Sequence, residues 1–212
     1  YQERPRPPFS PGLEISGKII DIGKNVTEHK VGDLVMSIMK YGGYKSEVVV
    51  PSENTYKAPS NMPLDIAAGF PVTYGTAYSA LVTSAKIKKG ETCLILGATG
   101  GVGIATVEIA KALGSKVIAC GGSDSKLKSC TSKGADYVIN YKNKILRNEL
   151  TKLNIKEIDV VIDMIGGQYA LDSVKSLKWN GRFVIVGFAS GNIPNIPANR
   201  LLLKNASAIG LY

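Results

Sequence analysis

Between Leu94 and Gly103 the chain reads LILGATGGVG, an apolar run that breaks into glycines and leads straight into the helical pattern IATVEIAKALG. Glycine removes the side chains that would hold a ligand away from the main chain. Where such a turn opens a helix, the first N–H groups point outward with partial positive charge and can donate to a pyrophosphate. Ala98, Gly100 and Gly103 take the three small positions of a G/A-x-G-x-x-G fingerprint, with Thr99, Gly101 and Val102 completing the loop. In that pattern Gly100 permits close approach of the phosphates and Gly103 permits tight helix–strand packing. A glycine cluster alone also describes a structural tight turn; its place between a strand and a helix points to a nucleotide.

A second cue lies one strand further on. Units that bind NAD carry an Asp or Glu at the end of the second strand, where it accepts hydrogen bonds from the ribose hydroxyls. Here the strand KVIAC ends in Gly121-Gly122-Ser123, with no carboxylate at that place. Asp124 reads as an N-cap or first-turn acid of the following helix. Lys126 then brings a cation beside the space that the missing acid leaves, which favours the 2′-phosphate of NADP(H).

The remaining reactive residues carry less. Cys93, Cys120 and Cys130 have no metal-ligand spacing and fall in or beside apolar runs, as small buried hydrophobes do. His29 is the only histidine, so neither a zinc site nor a His-based triad can be assembled around it. The net charge is +9, but the lysines are scattered, as at Lys18, Lys24, Lys30, Lys40 and Lys45, without a sustained basic run or an aromatic platform. That distribution reads as a solvated surface whose field suits an anionic small ligand. Binding to nucleic acid is the lesser reading and predicts affinity that collapses with salt.

These residues need elements to hold them. The 212 residues, 44% apolar and 20% charged, are ordinary for a globular protein. No apolar run reaches the roughly 18 residues of a membrane span, and YQERPRPPFSPG lacks the pattern of a signal peptide, so the expected location is intracellular, cytoplasmic or mitochondrial. The absence of an initiating Met and the Pro-rich start suggest that residues precede Tyr1. From Leu13 to Pro51, LEISGKIIDIG, VGDLVMSIM and GGYKSEVVVP read as short strands of a β-rich unit. LDIAAGFPVTYGTAYSALVTSA then has helical periodicity broken near Pro71. Strands are expected at Thr92–Leu96, Lys116–Cys120, Tyr137–Asn140, Ile158–Asp163, Gly181–Val186 and Ala206–Gly210. Helices are expected near Val102–Leu113, Ser125–Lys133, Ile145–Leu153, Tyr169–Leu177 and Asn199–Lys204. Such alternation implies right-handed crossovers onto a six-stranded, doubly wound parallel sheet covered on both faces, an α/β fold of Rossmann type.

The motifs FSPGLEISGKIIDIG, VGDLVMSI, AAGFPVTYGTAYSAL, GATGGVG, GADYVINY, IDVVIDMIGG and GRFVIVGFASGNIPNIPANRLLLKN span nearly the whole chain. With them the sequence resembles the medium-chain dehydrogenase/reductase superfamily, and within it the zinc-free NADPH:quinone oxidoreductase branch. The resemblance implies a partial GroES-like catalytic domain over residues 1–68 and a Rossmann domain over 69–212, with further residues of the family's fold beyond both ends. It implies that Thr76 hydrogen-bonds near the nicotinamide ribose and that Gly100, Gly101 and Val102 take the pyrophosphate. Gly122, Ser123, Lys126 and Tyr141 would surround the 2′-phosphate. Ile165 and Gly166 would pass beneath the ribose, Phe188 and Ser190 would present backbone to the carboxamide end, and Tyr1 would line the substrate cleft. Thr76 and Tyr141 also fit as an ordinary helix residue and strand-edge residue.

Zinc-dependent relatives carry Gly-His-Glu where this chain reads Gly12-Leu13-Glu14, and their cysteine-rich loop has no counterpart here, so no metal is expected. The implied reaction is hydride transfer to a quinone or an α,β-unsaturated carbonyl, with no general acid that the sequence dictates. A homodimer joined through the last strand is implied as well, with neither nucleic acid nor a membrane span. The superfamily also includes crystallin-like and vesicle-associated members, so an NADPH-binding structural or regulatory protein without significant turnover is the alternative.

Overall fold

The computed structural model describes residues 5–142 and 144–212. It divides into two compact units, Tyr1–Gly75 and Thr76–Tyr212.

In the first unit, β1 (Glu14–Lys18), β2 (Leu34–Ile38) and β3 (Thr55–Lys57) form an antiparallel sheet in the order β1-β2-β3. The register pairs Ser16 with Met36 and Ser37 with Thr55. The expected third strand in GGYKSEVVVP is not formed. Its backbone groups turn back on Pro11 and Gly12, with Tyr44 N–H bonded to Pro11 O (2.9 Å) and Gly43 N–H to Gly12 O (3.2 Å). Val49 is wholly exposed between the half-buried Val48 and Val50, and Thr55–Lys57 supplies the third strand instead. Helix α1 (Leu64–Ala68) packs on β1 and β2.

Helix α2 (Phe70–Tyr78) follows after Gly69. Pro71 lies in its first turn, where the missing N–H costs nothing; the break in the helical pattern is therefore at Gly69 and Pro71 begins the new helix. A π-helical turn, Ser79–Ser84, continues it. The division between the units falls within α2.

The second unit alternates β4 (Thr92–Leu96), α3 (Gly101–Ala112), β5 (Lys116–Gly121), α4 (Asp124–Ser132), β6 (Tyr137–Asn140), α5 (Leu146–Lys152), β7 (Ile158–Asp163), α6 (Gly167–Lys175), β8 (Leu177–Ile185), α7 (Ala198–Leu202) and β9 (Ser207–Gly210). The strands form one parallel sheet in the order β6-β5-β4-β7-β8-β9. Alternate residues of the central strands serve opposite faces: Cys93, Ile95, Val117, Ala119, Val160 and Ile162 pack toward α3 and α4, and Leu94, Leu96, Ile118, Cys120 and Val161 pack toward α5 and α6. Burial on both faces is why these strands read as nearly continuous apolar runs.

β8 starts earlier than the sequence suggests. Leu177 pairs with Ile158 and Arg182 with Val160, so the ladder bulges between them, around Asn180 at φ +60°. The Arg182 guanidinium ties this start to the segment before β4, donating to both Glu91 carboxylate oxygens (3.0 and 2.5 Å) and to Ala85 O (3.0 Å).

Candidate dinucleotide site

The order of the six strands reverses direction between β4 and β7, and the carboxyl ends of strands at such a point leave a crevice where ligands bind. Four connections meet there: the turn 97–100 after β4, Gly121–Ser123 after β5, Met164–Gly166 after β7 and Val186–Asn192 after β8.

The first turn is fixed by its own atoms. Gly97 has φ +81°, and a Cβ on it would lie 2.8 Å from Ile165 Cδ1. Its N–H and that of Ala98 both donate to Cys120 O, at 3.0 and 2.9 Å. Gly97, rather than Ala98, is thus the residue that makes the tight bend; a positive φ is invisible in a residue list. Ala98 is fully buried. On Gly103 a Cβ would stand 2.2 Å from Gly97 O and 2.6 Å from Ala98 Cα, so only glycine lets α3 approach the strand end this closely.

Gly100 is different. It is the N-cap of α3 with φ −87°, makes no side-chain cap, and its added Cβ would meet only Gly97 O at 3.6 Å. Nothing among the described residues forbids a side chain there. The N–H groups of Gly101, Val102 and Gly103 open the helix without acceptors inside it; Gly101 is exposed and Val102 half-buried.

At the end of β5, a Cβ on Gly121 would lie 2.9 Å from Thr99 Cγ2 and 3.2 Å from Leu127 Cδ2. The acid that marks an NAD site therefore has no room at this place, a consequence of Thr99. Ser123 stands at the N-cap position of α4 without a side-chain cap bond, and its hydroxyl lies 2.9 Å from that of Ser125. Lys126 is exposed, one turn further along α4. Tyr141 follows β6, with its N–H on Gly121 O (3.1 Å), and its Cε2 would lie 3.8 Å from a Cβ on Gly122. The Tyr141 ring so borders the open side of Gly122, with Ser123 and Lys126 on the adjoining strand end and helix. Burial pushes the Tyr141 hydroxyl up to about 12, which keeps it a donor at neutral pH.

The loops after β7 and β8 are bonded to each other: Ala189 N–H donates to Met164 O (3.0 Å), Ser190 N–H and Oγ to Ile165 O (3.1 and 2.7 Å), and Gly167 N–H to Asn192 O (2.9 Å). Ile165, Gly166, Phe188 and Ser190 are thereby gathered at one strand end. Gly166 has φ +76°, with Asn192 O 2.6 Å and Phe188 Cδ1 3.1 Å from an added Cβ.

Asp163 at the end of β7 holds this corner together. Its Oδ1 accepts the N–H groups of Ile165 (2.8 Å) and Gly166 (2.9 Å), and its carbonyl accepts those of Val186 and Gly187. Its Oδ2 is buried without a partner among the described residues. Burial holds the carboxyl above its ordinary range, against the pull of the two N–H donors. Sequence reasoning passed over Asp163; an acid closing the apolar strand IDVVID was the available signal.

Thr76 lies half-buried in α2. Tyr1 lies outside the described residues. Glu14, of Gly12-Leu13-Glu14, accepts the Val72 N–H (2.9 Å) in the first turn of α2. The three cysteines are buried thiols, and burial pushes each of them up, away from the thiolate form. No helix of the described residues is long and apolar enough to cross a membrane.

A parallel sheet in this strand order, with a glycine turn opening a helix beside the reversal, places the second unit in the class of Rossmann folds. Residues 101–212 match the family model described as zinc-binding dehydrogenase, and residues 1–60 match the alcohol dehydrogenase GroES-like domain. Mouse quinone oxidoreductase-like protein 2 is 42% identical over 214 residues, covering 100% of this chain and 61% of that protein. The solved quinone oxidoreductase of Thermus thermophilus, described together with its NADPH complex, is similar with a TM-score of 0.84 and 30% identity over 100% of this chain and 64% of that one. The CurK enoyl reductase has a TM-score of 0.84 and 30% identity, with 96% and 61% covered. The chain belongs to the medium-chain dehydrogenase/reductase superfamily, in its quinone oxidoreductase branch. It spans about three fifths of the length of these curated relatives.

Proposed function

We propose that the whole protein is an NADPH-dependent oxidoreductase that passes a hydride to a quinone or an α,β-unsaturated carbonyl without zinc. The observation that carries the cofactor reading is the contrast at the strand ends: at Gly100 a side chain would meet only Gly97 O among the described residues, while at position 121 it would crowd Thr99 and Leu127. NADP(H), when bound, supplies the hydride. The N–H groups of Gly101–Gly103 would donate to the pyrophosphate, and Ser123, Lys126 and the neutral Tyr141 hydroxyl to the 2′-phosphate. Ile165 and Gly166, pinned by Asp163, would support the ribose beside Thr76, with the backbone around Phe188 and Ser190 at the carboxamide end. Relatives described as a quinone oxidoreductase and an enoyl reductase support the acceptor class.

Absence of zinc from the reaction rests on Leu13 in place of a ligating His and on Glu14 being occupied with the Val72 N–H. A homodimer through β9 rests on its place at the end of the sheet order, with Ser207, Ala208 and Gly210 exposed along an open edge. The test is turnover of the full-length protein with NADPH against a set of quinones and alkenals. NADPH oxidation that rises with the acceptor is expected; tight NADPH binding with no turnover on any acceptor would reject the enzymatic reading.

A further inference from the structure

The Tyr141 ring does not stand alone. It is stacked on Tyr169, with centroids 4.1 Å apart and planes 28° apart. Tyr141 is 8% exposed, and Tyr169, in the first turn of α6, is half-buried. The ring is also in reach of Gly122, the residue before Ser123. A phenol turns about two side-chain torsions, and a partner stacked on its ring restricts both. The partner is itself delivered by a rigid corner. Asp163 Oδ1 holds the N–H groups of Ile165 and Gly166, Gly166 and Gly167 turn the chain at φ +76° and +61°, and Tyr169 follows two residues on.

We propose that Tyr169 is a positioning residue for coenzyme selection: by stacking on Tyr141 it holds that hydroxyl where a 2′-phosphate would sit, and so raises affinity for NADPH without touching it. This rests on the proposed reading of NADPH as the coenzyme. It also means that one corner, β7 to α6, sets both the ribose support and the back wall of the phosphate pocket. A coenzyme lacking the 2′-phosphate makes no use of the Tyr141 hydroxyl, so the effect of Tyr169 is confined to NADPH.

Dissociation constants for NADPH and NADH would be measured by titration on the full chain carrying Tyr169→Phe, Tyr169→Leu, Tyr141→Phe or the pair Tyr141→Phe/Tyr169→Leu, with thermal unfolding of each. Leucine fills the site without a ring, and phenylalanine keeps the stack. Tyr169→Leu is expected to weaken NADPH about three- to tenfold and to leave NADH within about twofold, since a stacked aromatic pair contributes on this scale. Tyr169→Phe should match the wild type, and Tyr169→Leu should add nothing once Tyr141→Phe is present. Equal weakening of both coenzymes would reduce Tyr169 to a structural role and overturn the proposal, as would an undiminished loss in the Tyr141→Phe background. A wild type without preference for NADPH, or a Tyr141→Phe protein with unchanged affinity, would overturn the coenzyme reading and this role with it. A normal preference with a loss in Tyr141→Phe and none in Tyr169→Leu would overturn this role alone.

Discussion

The turn after β4 and the strand ends of β5 and β6 are governed by different atoms. In the turn the chain dictates its own sequence: Gly97 needs a positive φ beneath Ile165, and Gly103 faces Gly97 O at a distance no side chain tolerates. At Gly122, Ser123 and Lys126 the chain demands little of itself. Gly122 has only ordinary contact around it, and Lys126 is exposed. The first region makes a dinucleotide fold possible; the second is free to choose among dinucleotides. Gly100 belongs to the first by sequence and to the second by physics.

Replacing two neighbouring glycines tests that division most severely. Gly103→Ala puts a carbon 2.2 Å from a backbone oxygen, which overpacks a site with no flexible side chain to move, and should cost about 3 kcal/mol or more of stability. Gly100→Ala keeps an allowed φ of −87° and meets Gly97 O at 3.6 Å. Alanine is a poorer N-cap than glycine, so stability should fall by no more than about 1 kcal/mol. Its methyl would stand in the pyrophosphate path and weaken NADPH and NADH alike, by about 1 to 3 kcal/mol. Urea unfolding and coenzyme titration on both variants decide it, and a Gly103→Ala protein as stable as Gly100→Ala would break the comparison.

A smaller and more selective effect is expected at Lys126. Charge-assisted hydrogen bonds contribute about 1.5–3 kcal/mol, and solvent screening at an exposed lysine holds this one to the lower end. Lys126→Ala should therefore weaken NADPH about tenfold and leave NADH nearly unchanged. Equal losses for the two coenzymes would mean that Lys126 does not read the phosphate.

The sequence makes plain what depends on local periodicity. The expected bounds of Thr92–Leu96, Tyr137–Asn140 and Ile158–Asp163 are those observed: the first and last are apolar runs buried on both faces, and the second, an edge strand with Val138 exposed, follows Asp136 and ends in Asn140. What depends on distant partners was not legible. GGYKSEVVVP has strand composition, yet its hydrogen bonds go to Pro11 and Gly12. β8 begins at Leu177 because the bulge at Asn180 lets a second piece of ladder reach Ile158. In the candidate site, a residue list reveals that Gly121 is not an acid but hides Thr99 as the cause. The stack of Tyr169 on Tyr141 and the bonds from Val186 and Gly187 to the Asp163 carbonyl are contacts between segments far apart in sequence.

Asp163 yields the subtlest test, because its hydrogen bonds go to the loops after β7 and β8 rather than to either region. Burial raises its carboxyl above the ordinary range despite two N–H donors on Oδ1, and Oδ2 has no described partner to favour the charge. An acid whose folded pKa is raised contributes stability that is complete below its unfolded value, near about 3.9, and that is lost as pH rises through the folded one. Asp163→Asn retains an oxygen for the Ile165 and Gly166 N–H groups and cannot ionise. Its new amide, in the place of Oδ2, carries a desolvation cost that is the same at every pH. The absolute stability of the variant is therefore less telling than its gap from the wild type, which should move in the variant's favour as the pH is raised from about 4. Thermal unfolding of both proteins across that range reads the gap directly. A gap that stays constant would show that Asp163 is charged throughout and that some group compensates it at the corner where the β7 and β8 loops meet.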